Sequence, residues 1–197
     1  MLQAKCQRDH ESGRPFIRCI QTTPDFLLVC ASDRQLNNAP RFAVVKGGSI
    51  LSVDTTFNIG KFYVTLFSVR HMLVTNKRTG SPPVVIAAAC LHWNKNFEAY
   101  VAAAARLIQD RPILRDVKFV GTDSDEALFK ALLTVFSGAK HLVCQIHGWD
   151  NIQRKLTDLG MQDLKQMIYC DIFGERSGSE RTFALVDHAT PGSSMMR

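Results

Sequence analysis

The sequence predicts an α/β domain in which a mixed five-stranded sheet carries flanking helices in the order β-β-β-α-β-α-β-α. Residues 50–92 hold three consecutive runs rich in Val, Ile, Phe, Tyr and Thr, separated by polar turns; this is the composition of strands joined by hairpins. From Phe97 onward, apolar residues recur at helical spacing in two segments, each followed by a short apolar run. Such alternation is that of crossover helices feeding parallel strands. The chain has 197 residues, 46% of them hydrophobic and 21% charged, which suits one packed domain and excludes both disorder and a fibrous repeat.

Residues 1–44 read as an N-terminal flank. Its first 24 residues are polar, the lead-in to the domain, and two short apolar runs, FLLVCAS and RFAVV, follow with the loop RQLNNAP between them. The first run can be strand or helix, because periodicity does not decide so short a segment. GGSILSVDTTFNIGKFYVTLFSVRHMLV then predicts a hairpin turning around Asn58, Ile59 and Gly60. After the loop TNKRTGSPP, the run PVVIAAACLHW predicts a third strand, since Pro83 can begin a strand but not lie within one. FEAYVAAAARLIQD predicts a helix ended by Pro112, and VKFVGTD a strand breaking at Gly121. In SDEALFKALLTVFSGAK, Ser124 is the expected N-cap and Gly138 the closing C′ residue. HLVCQIH is the fifth strand, followed by the helical stretches WDNIQRKLTDL and MQDLKQMIYCDIF. These define a core over 45–172. Residues 173–197, Gly/Ser-rich and without period, read as an irregular tail that does not close a domain, the mark of a truncated chain. The element order is that of the RNase H-like fold.

The net charge is +6, which favours a polyanion such as nucleic acid. The N-terminus lacks an apolar secretion segment, and no run approaches the ~20 apolar residues of a membrane span. Six cysteines, Cys6, Cys19, Cys30, Cys90, Cys144 and Cys170, are spread without the dense spacing of a secreted scaffold. A reducing nuclear or cytoplasmic setting is therefore expected, and not secretion.

Two aspartates stand where chemistry can be placed. Asp54 follows the apolar run SILSV and Asp123 follows VKFVGT, so each is a carboxylate delivered by a strand toward the sheet edge. Hard Mg²⁺ prefers oxygen ligands, and two such carboxylates on neighbouring strands can share it. The bland alternative is that Asp after a strand starts a turn, with Asp123 capping the next helix. Cys144-Gln-Ile-His147 supplies two potential zinc ligands of the four a structural site needs, with only Cys170 and His188 to complete it. Zinc is not expected there; Cys144 as a strand residue and His147 at a helix start account for the pattern. Phe62, Tyr63 and Phe67 alternate as core residues do, and Lys77, Arg78, Arg154 and Lys155 suit solvated faces as well as phosphate contacts.

VDTTFNIGKFYVTLF, PPVVIAAACLHWNKNFEAYVAAA and FVGTDSDEALFKALLTVFSGAKHLVCQIHGWDNIQRKL together resemble the Mutator-like element (MULE) transposase domain of the RNase H-like DDE superfamily, over about residues 45–157. The resemblance implies that Asp54 and Asp123 are the first two acids of the DDE triad, both catalytic and both holding Mg²⁺ or Mn²⁺. Cys144 and His147 match the family's CxxH signature and are implied to be associated with the site. The implied partner is DNA at transposon ends, with a homo-oligomer compatible with that role and no membrane, and the implied reaction is phosphodiester cleavage and strand transfer in the nucleus. The family's closing Glu lies further downstream. Glu175 and Glu180 are the late glutamates here, and their Gly/Ser-rich surroundings suit exposure. The competing expectation is a catalytically inactive, transposase-derived module that binds DNA or protein. An unrelated nucleotide-binding α/β domain lacks its Gly-rich phosphate loop.

Overall fold

Ser32-Asp33-Arg34-Gln35 spells a capping box, and the chain uses it. In the structure, a computed structural model describing residues 15–174 and the backbone of 176–177 and 180–181, the Ser32 hydroxyl accepts from Gln35 N–H while Gln35 Oε1 accepts from Ser32 N–H. Helix α1, Asp33–Ala43, follows, with Pro40 inside it. The expected loop RQLNNAP is thus helical. An interior proline costs about 3 kcal/mol. Burying Leu36 and Phe42, each at most 2% exposed, contributes about 2 kcal/mol apiece and more than offsets it.

Two strands precede α1. Strand β1, Ile17–Gln21, falls within the expected polar lead-in, and β2, Leu27–Cys30, resolves the ambiguous run FLLVCAS as a strand. β3 (Leu51–Ile59), β4 (Phe62–Arg70) and β5 (Val84–His92) then form the expected antiparallel succession. The first turn centres on Gly60, at φ +63°, and Lys61, because Ile59 pairs with Phe62. Helix α2 (Phe97–Asp110) leads through a 3₁₀ turn to β6 (Phe119–Thr122), and α3 (Glu126–Val135) leads to β7 (Lys140–Val143). β6 runs parallel to both β3 and β7. The sheet order is β1-β2-β5-β4-β3-β6-β7. Seven strands, not five, make a mixed sheet compatible with an RNase H-like fold but differing in strand count and topology.

Three local expectations are corrected. Gly121 does not break β6, for it pairs with Ser52 on one side and Leu142 on the other. Asp125, not Ser124, caps α3, its Oδ1 accepting from Leu128 N–H at 3.0 Å. The helix ends at Phe136, where the cap N–H bonds Leu132 O, two residues before Gly138.

Helices α1, α2 and α3 supply the side chains that bury one face of the sheet. Leu51, Val53, Phe67, Val69, Ala88 and Cys90 from the strands meet Tyr100, Ala103, Ala104 and Leu107 of α2 and Leu128, Ala131 and Leu132 of α3. The small alanines of α2 allow a close helix–sheet approach. Arg18 of β1 ties the added N-terminal elements to this core: its Nε donates to Ala31 O at 2.7 Å and its guanidinium pairs with Asp33, which Arg111 also meets at 2.8 Å.

The chain divides into two units, Met1–Cys144 and Gln145–Arg197. The second holds α4 (Gln145–Asp158), a 3₁₀ turn, α5 (Lys165–Phe173) and the two-residue strands β8 (Arg176–Ser177) and β9 (Glu180–Arg181). β7 ends at Val143, so Cys144, expected within the fifth strand, falls just outside it; Gln145 begins α4, and His147 lies in its first turn, the helix start expected of it. Trp149 packs edge-on against Tyr169 and Phe173. No helix among the described residues is long and apolar enough to cross a membrane. Cys6, Glu175, His188 and the side chain of Glu180 lie outside the described residues.

Candidate active site

Parallel register brings Asp54 and Asp123 side by side. Leu51 pairs with Val120 and Ser52 with Gly121, an offset of 69 residues, and 54 + 69 is 123. Val53 and Thr122, one step earlier, are buried at 1% and 2% exposure toward the helices. Side chains alternate along strands, so Asp54 and Asp123 take the opposite face. A carboxylate oxygen of one lies within 4.8 Å of a carboxylate oxygen of the other, and both residues are half-buried. Asp54 is not at the end of β3, as expected, but fourth of nine residues; what ends beside it is the described β3–β6 pairing.

Local bonds hold Asp123 in place. Asp125 N–H donates to its Oδ1 at 3.0 Å, an Asx turn that restrains the side chain. The Thr122 hydroxyl donates to the Asp123 carbonyl and lies 2.7 Å from His141 Nε2. His141 stacks on Phe129 of α3 at 4.9 Å, and burial lowers its pKa. Because Asp125 does the capping, the carboxylate of Asp123 is not spent on the helix. Gly121, two residues earlier on the same face, adds no side chain to crowd the pair; a Cβ there would stand 3.0 Å from Ile50 Cγ2.

A buried polar chain runs behind Asp54 on the helix side, and nothing in the motif pattern marked it. Thr55 Oγ1 is hydrogen-bonded to Thr65 Oγ1 (2.8 Å) and to Tyr100 Oη (3.2 Å), and Thr65 Oγ1 meets His92 Nε2 at 2.7 Å. His92 Nδ1 lies 2.8 Å from the Asn94 carbonyl, which can only accept. The neutral ring therefore carries its proton on Nδ1 and accepts at Nε2 from Thr65. Burial lowers the His92 pKa despite the Asn94 bond, which raises it. Tyr100 is pushed up to about 12 by burial, with smaller contributions from the Asp125 and Asp123 charges, against the lowering bond from Thr55. Both rings are thus neutral at pH 7. The available signal was polar side chains at inward-facing strand positions, which alternation alone reads as core.

Two facing carboxylates supply hard oxygen donors of the kind that fit Mg²⁺ or Mn²⁺. Among the described residues, no third carboxylate joins them within 4.8 Å. Cys144 is the last residue of the first unit, and its N–H donates to Thr122 O at 2.7 Å, one residue before Asp123. His147 lies in the first turn of α4, in the second unit. Of the expected aromatics, Phe67 is buried in the core, Tyr63 lies under Lys95 Nζ at 5.2 Å from the ring centroid, and Phe62 joins Phe26 and Trp93. Lys77 and Arg78 are exposed in the 75–83 loop, and Lys155 is exposed on α4.

No curated protein matches the chain. The family model described as the MULE transposase domain matches residues 50–151, a span of 151 − 50 + 1 = 102 residues that takes in β3 through the first turns of α4, with both aspartates and the Cys144–His147 segment. On that match, covering just over half of its 197 residues, the chain belongs to the MULE transposase domain family.

Proposed function

We propose that this chain carries the core of a DDE-type DNA transposase, in which Asp54 and Asp123 together hold Mg²⁺ or Mn²⁺ for phosphodiester cleavage and strand transfer. The observation that supports it best is the register match that sets the two carboxylates within 4.8 Å on adjoining parallel strands. When bound, such ions neutralise phosphate charge and activate the attacking oxygen of an in-line displacement. The protein's own part is placement. The Asx turn orients Asp123, the buried Thr55–Thr65–His92 chain stiffens β3 next to Asp54, and α3 caps itself through Asp125, keeping Asp123 available. Cys144 and His147 are assigned to the vicinity of this site, DNA at transposon ends is the proposed substrate, and the nucleus is the proposed location.

The test is cleavage of a duplex carrying terminal inverted repeats, with Mg²⁺ or Mn²⁺ and with chelator. Metal-dependent cleavage that Asp54→Ala or Asp123→Ala lowers by at least about a hundredfold supports the reading. DNA binding without cleavage, equal in wild type and both variants, replaces it with a non-catalytic binding module.

A further inference from the structure

Trp93 stands just past the end of β5 and keeps 48% of its surface exposed. Its ring lies 5.9 Å from Phe62, nearly parallel at 18°, and 5.7 Å from Phe26, which itself packs on Phe62 at 4.9 Å. Phe26 lies just before β2, Phe62 opens β4 and Trp93 follows β5, so the cluster sits at one end of the sheet. Trp93 is the exposed member of the cluster, while Phe26 and Phe62 are half-buried beneath it, so an aromatic face is presented to solvent. Lys61 precedes Phe62 and Lys95 follows Trp93 by two residues; both are exposed, with Lys95 held over Tyr63. The nearby carboxylate of Asp25 is engaged, accepting from Asn94 Nδ2 at 3.1 Å. Asn94 is a neutral donor, so Asp25 keeps its charge, and the patch pairs an exposed aromatic face with two lysines against one carboxylate, a local excess of one positive charge.

Its position relates to the acids. Asp54 is level with Leu66, and Leu66 with Ala89. Trp93 is four residues beyond Ala89, and two strand spacings separate β5 from β3. At about 3.3 Å per residue and about 4.8 Å per strand, Trp93 lies roughly 16 Å from Asp54. That is about five steps of a stacked DNA strand.

We propose that Trp93, backed by Phe62 and Phe26 and flanked by Lys61 and Lys95, is a stacking platform for an unpaired base of a DNA strand. This rests on the DNA reading given above. An indole face stacks on any base without reading its sequence, and lysines beside it meet the backbone phosphates, the combination that single-stranded binding surfaces use. A fully paired duplex keeps its bases stacked on one another and has none to offer. The ligand is accordingly a single-stranded segment or a frayed end.

Trp93 and Trp149 are the two tryptophans of the chain, so the full-length Trp149→Phe protein reports on Trp93 alone. A single-stranded oligonucleotide is expected to quench this emission, and a blunt duplex of the same sequence is not. In titrations of labelled oligonucleotide, Trp93→Ala should weaken single-strand binding about tenfold and duplex binding less than twofold, with Trp93→Phe recovering most of the loss. Replacing Lys61 and Lys95 by Gln together should lower the salt slope for single strands by about 1.4. Circular dichroism confirms that each variant is folded, and Trp93→Leu, apolar but without a stacking face, carries the test should the alanine variant unfold. Equal single-strand affinity in wild type and Trp93→Ala overturns the platform, as does an equal loss for both nucleic acids. A change in sedimentation with unchanged oligonucleotide affinity overturns it in favour of a protein contact. Wild-type protein that binds neither nucleic acid removes the DNA reading itself, and the platform with it.

Discussion

Two carboxylates within 4.8 Å of each other repel unless a cation lies between them, so the pair is a strain on the fold without metal and a source of stability with it. Titrating Mg²⁺ or Mn²⁺ to about a hundred times its dissociation constant should add about 2.7 kcal/mol, raising the melting temperature by about 5 °C or more for a chain of this size. Asp54→Asn should abolish that shift while leaving the metal-free protein at least as stable; a scanning calorimetry trace with the same metal-induced shift in the variant would remove Asp54 from the site. His92 makes a separate pH prediction. Its folded pKa is depressed by burial, so the folded state holds fewer protons than the unfolded state below the ordinary histidine value of about 6.5. Its contribution is fully present above that value and is lost as pH falls toward the folded pKa. Protonation would also put a hydrogen on Nε2, reversing the bond to Thr65. Urea denaturation at pH 7 and pH 5 should show stability falling toward pH 5, and falling less in His92→Gln.

Helix α1 carries a local signal that reading its segment as a loop did not use. Ser32 and Gln35 state the capping box, yet Pro40 and two asparagines within the next six residues describe a loop when no partner surface is in view. Packing of Leu36, Ala39, Phe42 and Ala43 against the core settles the matter. Ser32→Ala should cost about 1 kcal/mol in urea denaturation by removing the cap; a change below a few tenths would mean that burial alone holds the helix. The link from α1 to β3 is tighter. A Cβ on Gly48 would fall 2.1 Å from Phe42 O, the carbonyl that accepts from Ser49 N–H at 2.7 Å. Gly48→Ala must move backbone rather than a side chain, and is expected to destabilise by more than about 2 kcal/mol, whereas Gly138→Ala, with open space around it, should change little.

At the scale of the whole chain, the charge of +6 bears on DNA through counterion release, so affinity for duplex should fall with rising salt at a slope of about 0.9 per phosphate contacted; binding that is flat from 50 to 200 mM salt would exclude backbone contacts as its source. Much of the architecture was legible beforehand for physical reasons that act locally. The hairpin strands β3, β4 and β5 follow from β-branched and aromatic runs broken by turn residues, and α2 and α3 from apolar residues at helical spacing. The 69-residue separation of Asp54 and Asp123 also stands in the sequence, where it means convergence only on the condition that their strands are neighbours. Only the tertiary structure turns it into contact, because strand register is set by which side chains must face the core across the whole sheet and not by either strand alone. The same holds for β1 and α1, whose segments look polar or broken until Arg18 and Asp33 are paired and Phe42 is covered. It holds again for the chain from Thr55 to His92, whose four members lie on three strands and a helix: local chemistry writes the elements, while partnership between distant residues exists only once the core has closed around them.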